Sequence, residues 1–197
     1  MAQARAAGSV SASRTPRPSG RIPFVKALSP EYIKQGRYGV VWGTKQANYT
    51  PRGGAPAYAA MRSQASASGR FMDAEDVRLR RRVAFLGSEV ARELFGNVPP
   101  VGQRIRIRGM LFDVIDVQGE KVQLSNYNSP NKECAFIPYT TAGELLDTEH
   151  LNNFVFQAMA TALLTRTIGD VRMVLGERLR FDPRDERALR TFGSVDA

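Results

Sequence analysis

The run RVAFLGSEVARELFGNVPPVGQRIRIRGMLFDVIDV, Arg82 to Val117, decides the fold, because hydrophobic period, helix caps and turn residues agree along it. Val83, Ala84, Phe85 and Leu86 form an apolar run that stops at Gly87, which predicts a short buried strand. Ser88 stands where a helix N-cap belongs, and Glu89 occupies a first turn favoured by the helix dipole. Val90, Ala91, Leu94 and Phe95 share one apolar face, Gly96 suits a left-handed C-terminal cap, and Pro99-Pro100 forbids continuation. Gln103 to Arg108 then alternates, Ile105 and Ile107 against Arg104, Arg106 and Arg108, as a half-buried antiparallel strand does. Gly109 supplies a turn, and Leu111 to Val117 returns with Phe112 and Val114 on one face and Ile115 and Val117 on the other. The pattern is strand, helix, strand, strand.

Downstream, Gly119 to Lys121 reads as a turn, Val122 to Tyr127 as a strand and Asn128 to Lys132 as a polar loop. Ala135 to Pro138 is a strand, and Thr141 with Glu144 has the spacing of a capping box opening a helix through Leu145 and Leu146. Asn153 to Ala160 is apolar on both faces and predicts an interior strand. Thr167 to Arg180 is amphipathic, with Ile168, Val171, Val174, Leu175 and Leu179 on one stripe, and Asp182-Pro183 stops it. Asp185 to Phe192 predicts a last helix facing inward through Ala188, Leu189 and Phe192. Upstream, Ser29 to Gln35 suggests a brief helix, Val40 to Asn48 a strand, Tyr49 to Pro56 turns, and Ala57 to Ser68 a helix through Tyr58 and Met61. Met1 to Lys26 carries no acid and too few apolar residues to fold alone.

The ordered series VAFLGSEVARELFG, PPVGQRIRIRG and MLFDVIDV resembles the extracytoplasmic, periplasmic core domain of MacB-like ABC transporter permeases. Gly69-Arg70-Phe71 with Asp76 upstream, and FIPYTTA at Phe136 to Ala142 downstream, are similar to further pieces of that family, so the resemblance runs from Tyr58 to Phe192. It implies an α+β fold of two lobes, a small mixed α/β lobe (83–150) inserted into a flanking βα lobe (29–82 and 151–192). A disordered basic tail (1–28) and a short C-terminal tail (193–197) complete the expectation. The family places a transmembrane helix and stalk before such a domain; the tail shows neither, so a fragment or degenerate relative is expected. The resemblance also implies a cell-membrane location on the periplasmic side, an ABC ATPase and transmembrane segments as partners, a periplasmic adaptor, a homodimer, and a part in export or lipoprotein extraction.

Charge suggests the alternative, a basic nucleic-acid-binding protein. The net charge is +9, with fifteen Lys and Arg against four acids in residues 1–82 and thirteen against fifteen in 83–197. The basic character therefore sits upstream of the patterned region. Arg78, Arg80, Arg81 and Arg82 could grip phosphates, yet Asp73, Glu75 and Asp76 lie beside them and no aromatics interleave as a stacking platform requires. Nucleic acid is thus disfavoured as a partner.

No catalytic, cofactor-binding or metal-ligating residue is expected. There is no phosphate-binding G-x-x-x-x-G-K-[ST] loop and no G-x-S-x-G elbow. Cys134 is the single cysteine, which reads as a small buried residue, and His150 is the single histidine, without spaced acidic or cysteine partners. Asp113 and Asp116, three apart on a strand, point to opposite faces and make a poor acid/base pair. No apolar run is long enough to span a bilayer.

Overall fold

The computed structural model describes residues 2–6, 22–33, 36–61, 66–67, 69–119, 131–146, 153–185 and 188–193. Its strands are β1 (Ala2–Ala6), β2 (Val25–Ile33), β3 (Tyr38–Trp42), β4 (Lys45–Gly54), β5 (Val83–Leu86), β6 (Arg104–Ile107), β7 (Met110–Val117), β8 (Cys134–Pro138), β9 (Asn153–Ala158) and β10 (Leu189–Gly193). Its helices are α1 (Pro56–Met61), α2 (Ala74–Arg78), α3 (Ser88–Phe95), α4 (Tyr139–Leu146) and α5 (Leu164–Leu179). By its contacts the chain divides into two compact units, 33–147 and 1–32 with 148–197. Residues 33–82, expected beside 151–192, supply β3, β4, α1 and α2 to the unit that holds β5 through α4.

In the unit 33–147, six strands close a ring in the order β4-β3-β6-β7-β5-β8, with β8 returning to β4. The β5–β7 and β4–β8 pairs are parallel and the other four antiparallel. The fold is therefore mixed α+β, a closed six-stranded mixed barrel with outer strands. Alternation explains the interior. Ile105 and Ile107 are buried while Arg104 and Arg106 are exposed, and Phe112, Val114 and Asp116 alternate inward along β7. The β6–β7 turn consists of Arg108 (φ 47) and Gly109 (φ 86), the left-handed pair that a two-residue hairpin demands. Val90, Ala91, Leu94 and Phe95 of α3 are buried, as their spacing predicts.

Ser88 is the first helical residue and Gly87 the N-cap, because a Cβ at Gly87 would lie 2.2 Å from the Lys132 carbonyl oxygen. Backbone contact, not side-chain capping, chose that residue. The expected strand Val40 to Asn48 is a hairpin broken after Trp42, where Trp42 pairs with Lys45, and the turn-rich stretch after Tyr49 continues as β4 to Gly54. Pairing with β8 overrides the local turn composition. The helix through Thr141 and Glu144 starts earlier, at Tyr139. The strand expected at Val122 to Tyr127 lies outside the described residues.

The other unit holds a sheet in the order β10-β1-β9-β2. Strand β9 pairs antiparallel on both sides, which matches its two apolar faces; Phe154, Val155 and Phe156 are buried. Ser29, the first residue of the brief helix expected at Ser29 to Gln35, is buried within β2 opposite Val155. The expected tail contributes β1 and the start of β2. The helix expected at Asp185 to Phe192 is replaced by strand β10, which pairs along β1 from Leu189 to Gly193. A neighbouring strand with open hydrogen-bonding groups outweighs helical spacing in so short a segment. In α5, Val171 and Leu175 are buried, and Arg180 ends the helix in the left-handed conformation.

Candidate functional site

A connected set of polar contacts lies where residues 66–67 and 69–82 meet the barrel. Beyond the point where β6 stops pairing, this segment takes its place on β7: the Ala67 N–H donates to the Val117 carbonyl (3.1 Å) and the Arg70 N–H to that of Ile115 (3.4 Å). Gly69 lies so close that a Cβ would sit 2.1 Å from the Ile115 oxygen. Its N–H donates to Asp116 Oδ1 at 2.9 Å. Only a residue without a side chain fits. The next residue but one, Phe71, packs edge-on against Phe85 with centroids 4.9 Å apart, and Phe85 and Tyr58 both meet Phe136.

Arg70 turns the other way, to Asp76. Its Nη1 and Nη2 donate to the two Asp76 oxygens at 2.6 and 3.1 Å, and Arg81 adds a longer contact at 3.4 Å. Asp73 caps α2 in a reciprocal box: its Oδ1 accepts from the Asp76 N–H, and the Asp76 carboxylate accepts from the Asp73 N–H, each at 2.9 Å. The Asp76 side chain is fully buried. Burial pushes its pKa up, but the Arg70 hydrogen bonds, the Asp73 N–H, the Arg70 charge and the Arg81 hydrogen bond outweigh that and hold it below the usual carboxylate range. Its charge is met within the fold by two guanidinium groups and a backbone N–H.

Helix α2 is then stitched to α4. Thr140 Oγ1 donates to the Val77 carbonyl (2.8 Å), Thr141 Oγ1 to that of Arg81 (3.1 Å), and Arg80 meets Glu144 at 2.7 Å. Thr141 is fully buried. Its hydroxyl holds a neighbouring segment instead of capping its own helix. The same contacts account for most of the arginine run. Arg78 and Arg81 pair with Glu75 (3.2 and 2.9 Å), so three of its four cations are neutralised within the fold.

A second set of charges faces the far side of α3. Glu89 meets Lys132 at 2.8 Å, and Arg37 meets Glu133 at 3.2 Å. The Lys132 hydrogen bond lowers the Glu89 pKa and raises that of Lys132. The Tyr49 hydroxyl donates to Glu93, and burial followed by that carboxylate pushes its pKa up. On β4, Arg52 Nη1 donates to Tyr58 Oη (3.3 Å) and Asn131 Oδ1 (3.4 Å), all three buried.

Cys134 is buried in β8, and His150 lies outside the described residues. Asp113 and Asp116 do face opposite ways: Asp113 pairs with Arg104 at 3.0 Å on the outer surface, while Asp116 is buried and holds Gly69. Among the described residues no group of three or more His, Cys, Asp or Glu is placed to hold a metal. Likewise no described helix is long and apolar enough to cross a membrane. The sequence presents Asp73 as a local countercharge, and Asp76 as a countercharge and as part of the family resemblance. Their three-residue spacing ahead of Val77 was the signal for the cap.

The description "MacB-like periplasmic core domain" belongs to the family whose model matches residues 3–174. A macrolide export ATP-binding/permease protein MacB from Bdellovibrio bacteriovorus is 40% identical over 101 residues, spanning 51% of this chain and 15% of that protein. The MacB of Chlorobium phaeobacteroides is 26% identical over 157 residues, spanning 78% of this chain and 23% of its own length. The chain thus covers less than a quarter of either. Among solved structures, the periplasmic region of MacB from Actinobacillus actinomycetemcomitans superposes with a TM-score of 0.76 at 13% identity, over 98% of this chain and 88% of that one. The extracellular domain of the transporter YknZ from Gram-positive bacteria gives 0.72 at 16% identity, over 87% and 83%.

Proposed function

The chain belongs to the MacB-like periplasmic core domain family, an extracytoplasmic domain of MacB-type ABC permeases, and from that premise we propose that it works as a non-catalytic coupling module in export. In this reading an ABC ATPase and transmembrane segments drive it, and it passes their motion to a periplasmic adaptor or to the exported molecule. The permease acts as a homodimer. A small α/β lobe interrupting a flanking βα lobe would supply the moving parts; the interruption of 1–32 and 148–197 by 33–147 supports it. The observation that carries the reading is the family match over residues 3–174.

A chromosomally tagged copy tests it. The expected result is a membrane-associated product, digestible by protease added outside spheroplasts and co-purifying with an ATP-binding protein. A product retained in the cytoplasm would sink the reading. DNA binding by the purified chain that persists near physiological salt would favour the nucleic-acid alternative instead.

A further inference from the structure

Arg108 holds a backbone conformation that its side chain disfavours. In the β6–β7 turn its φ is 47, and the left-handed region is adopted without strain by Gly and readily by Asn, but not by long side chains. The neighbouring Gly109 (φ 86) meets the same demand with no Cβ. What the arginine does there is reach another element. Its Nη1 donates to the Leu145 carbonyl at 2.8 Å, and its guanidinium carbon lies 5.5 Å from the centre of the Tyr38 ring.

Leu145 belongs to the last turn of α4 (Tyr139–Leu146). The last carbonyls of a helix have no partner within it and carry partial negative charge, so a cation placed on them both satisfies and neutralises. The position is significant in the chain: just past α4, at 147/148, it leaves the barrel unit for the other one. We propose that Arg108 is a latch on this exit, a positioning residue whose strained turn is kept because its guanidinium closes the end of α4. With the latch closed, the helix end is fixed to the barrel through Tyr38 and the β6–β7 hairpin; with it open, the last turn of α4 frays. Its use in a moving permease rests on the function proposed above, whereas the latch itself is measurable in the isolated chain.

The test is amide hydrogen exchange on the full chain carrying Arg108→Asn or Arg108→Lys. Asparagine suits the turn, so the expected result is a thermal midpoint equal to or above that of the parent, with unchanged exchange in β6 and β7. The last-turn amides of α4 should exchange about tenfold faster. Lysine keeps the charge but not the planar stacking on Tyr38, and should fall between. Unchanged exchange at the end of α4 in the asparagine variant would overturn the proposal. So would equal acceleration across β6, β7 and α4, or failure of that variant to fold, because each makes Arg108 a turn residue only.

Discussion

Asp76 and Glu89 are both carboxylates in the first turn of a short helix, both beside cations, and both held below their usual pKa. They do different work. Asp76 is fully buried and accepts from two guanidinium groups and a backbone N–H, whereas Glu89 is 30% exposed and leans on side chains that water can serve equally well. A charge becomes part of a fold when removing it strands its partners, and only the first of these two meets that condition.

The strongest way to break the comparison leaves both carboxylates in place. Gly69→Ala and Gly87→Ala would each drive a Cβ into a backbone oxygen, at 2.1 and 2.2 Å, and each should lose about 3 kcal/mol or more in urea denaturation. If one proves mild, the close approach on that side is not rigid. Next, Asp76→Asn keeps the shape and removes the charge. Because Arg70 and Arg81 are each more than 40% exposed and can rehydrate, the expected loss is about 2 kcal/mol, not the larger figure of a sealed ion pair.

Acid sharpens the same contrast. A depressed carboxylate adds stability that is complete above its unfolded pKa of about 4 and is lost as pH falls through the lower folded value. The stability gap between the parent and Asp76→Asn should therefore be constant near neutrality and shrink below about pH 4. A gap that stayed constant to pH 2 would mean the carboxylate is not the charged group that matters. Smallest of all, Glu89→Gln should leave the denaturation midpoint unchanged, and a clear drop would erase the distinction.

Much of the barrel was legible because its residues are ordered by simple alternation. Ile105 and Ile107 against Arg104 and Arg106 gave the inner and outer faces directly, and the α3 stripe gave its buried side. What escaped was set by partners distant in sequence. Gly87 caps α3 because of Lys132, Thr141 bonds Arg81, and Leu189 to Gly193 is a strand because β1 lies beside it. Ser29 lies in β2 against β9 for the same reason. Gly69 and Asp76 appeared in the sequence as parts of a family resemblance, and the contacts with β7 and Arg70 supply the physical cause of both.

The β4–β8 pair joins Thr50 to Cys134 and Gly54 to Pro138, the last seam of the ring. Until Cys134 to Pro138 arrives, β4 and β5 remain separate borders, each able to recruit a foreign strand. Such long-range closure slows folding. A chain interrupted before Cys134 would therefore lack the stave that closes the cask, and would be prone to aggregation.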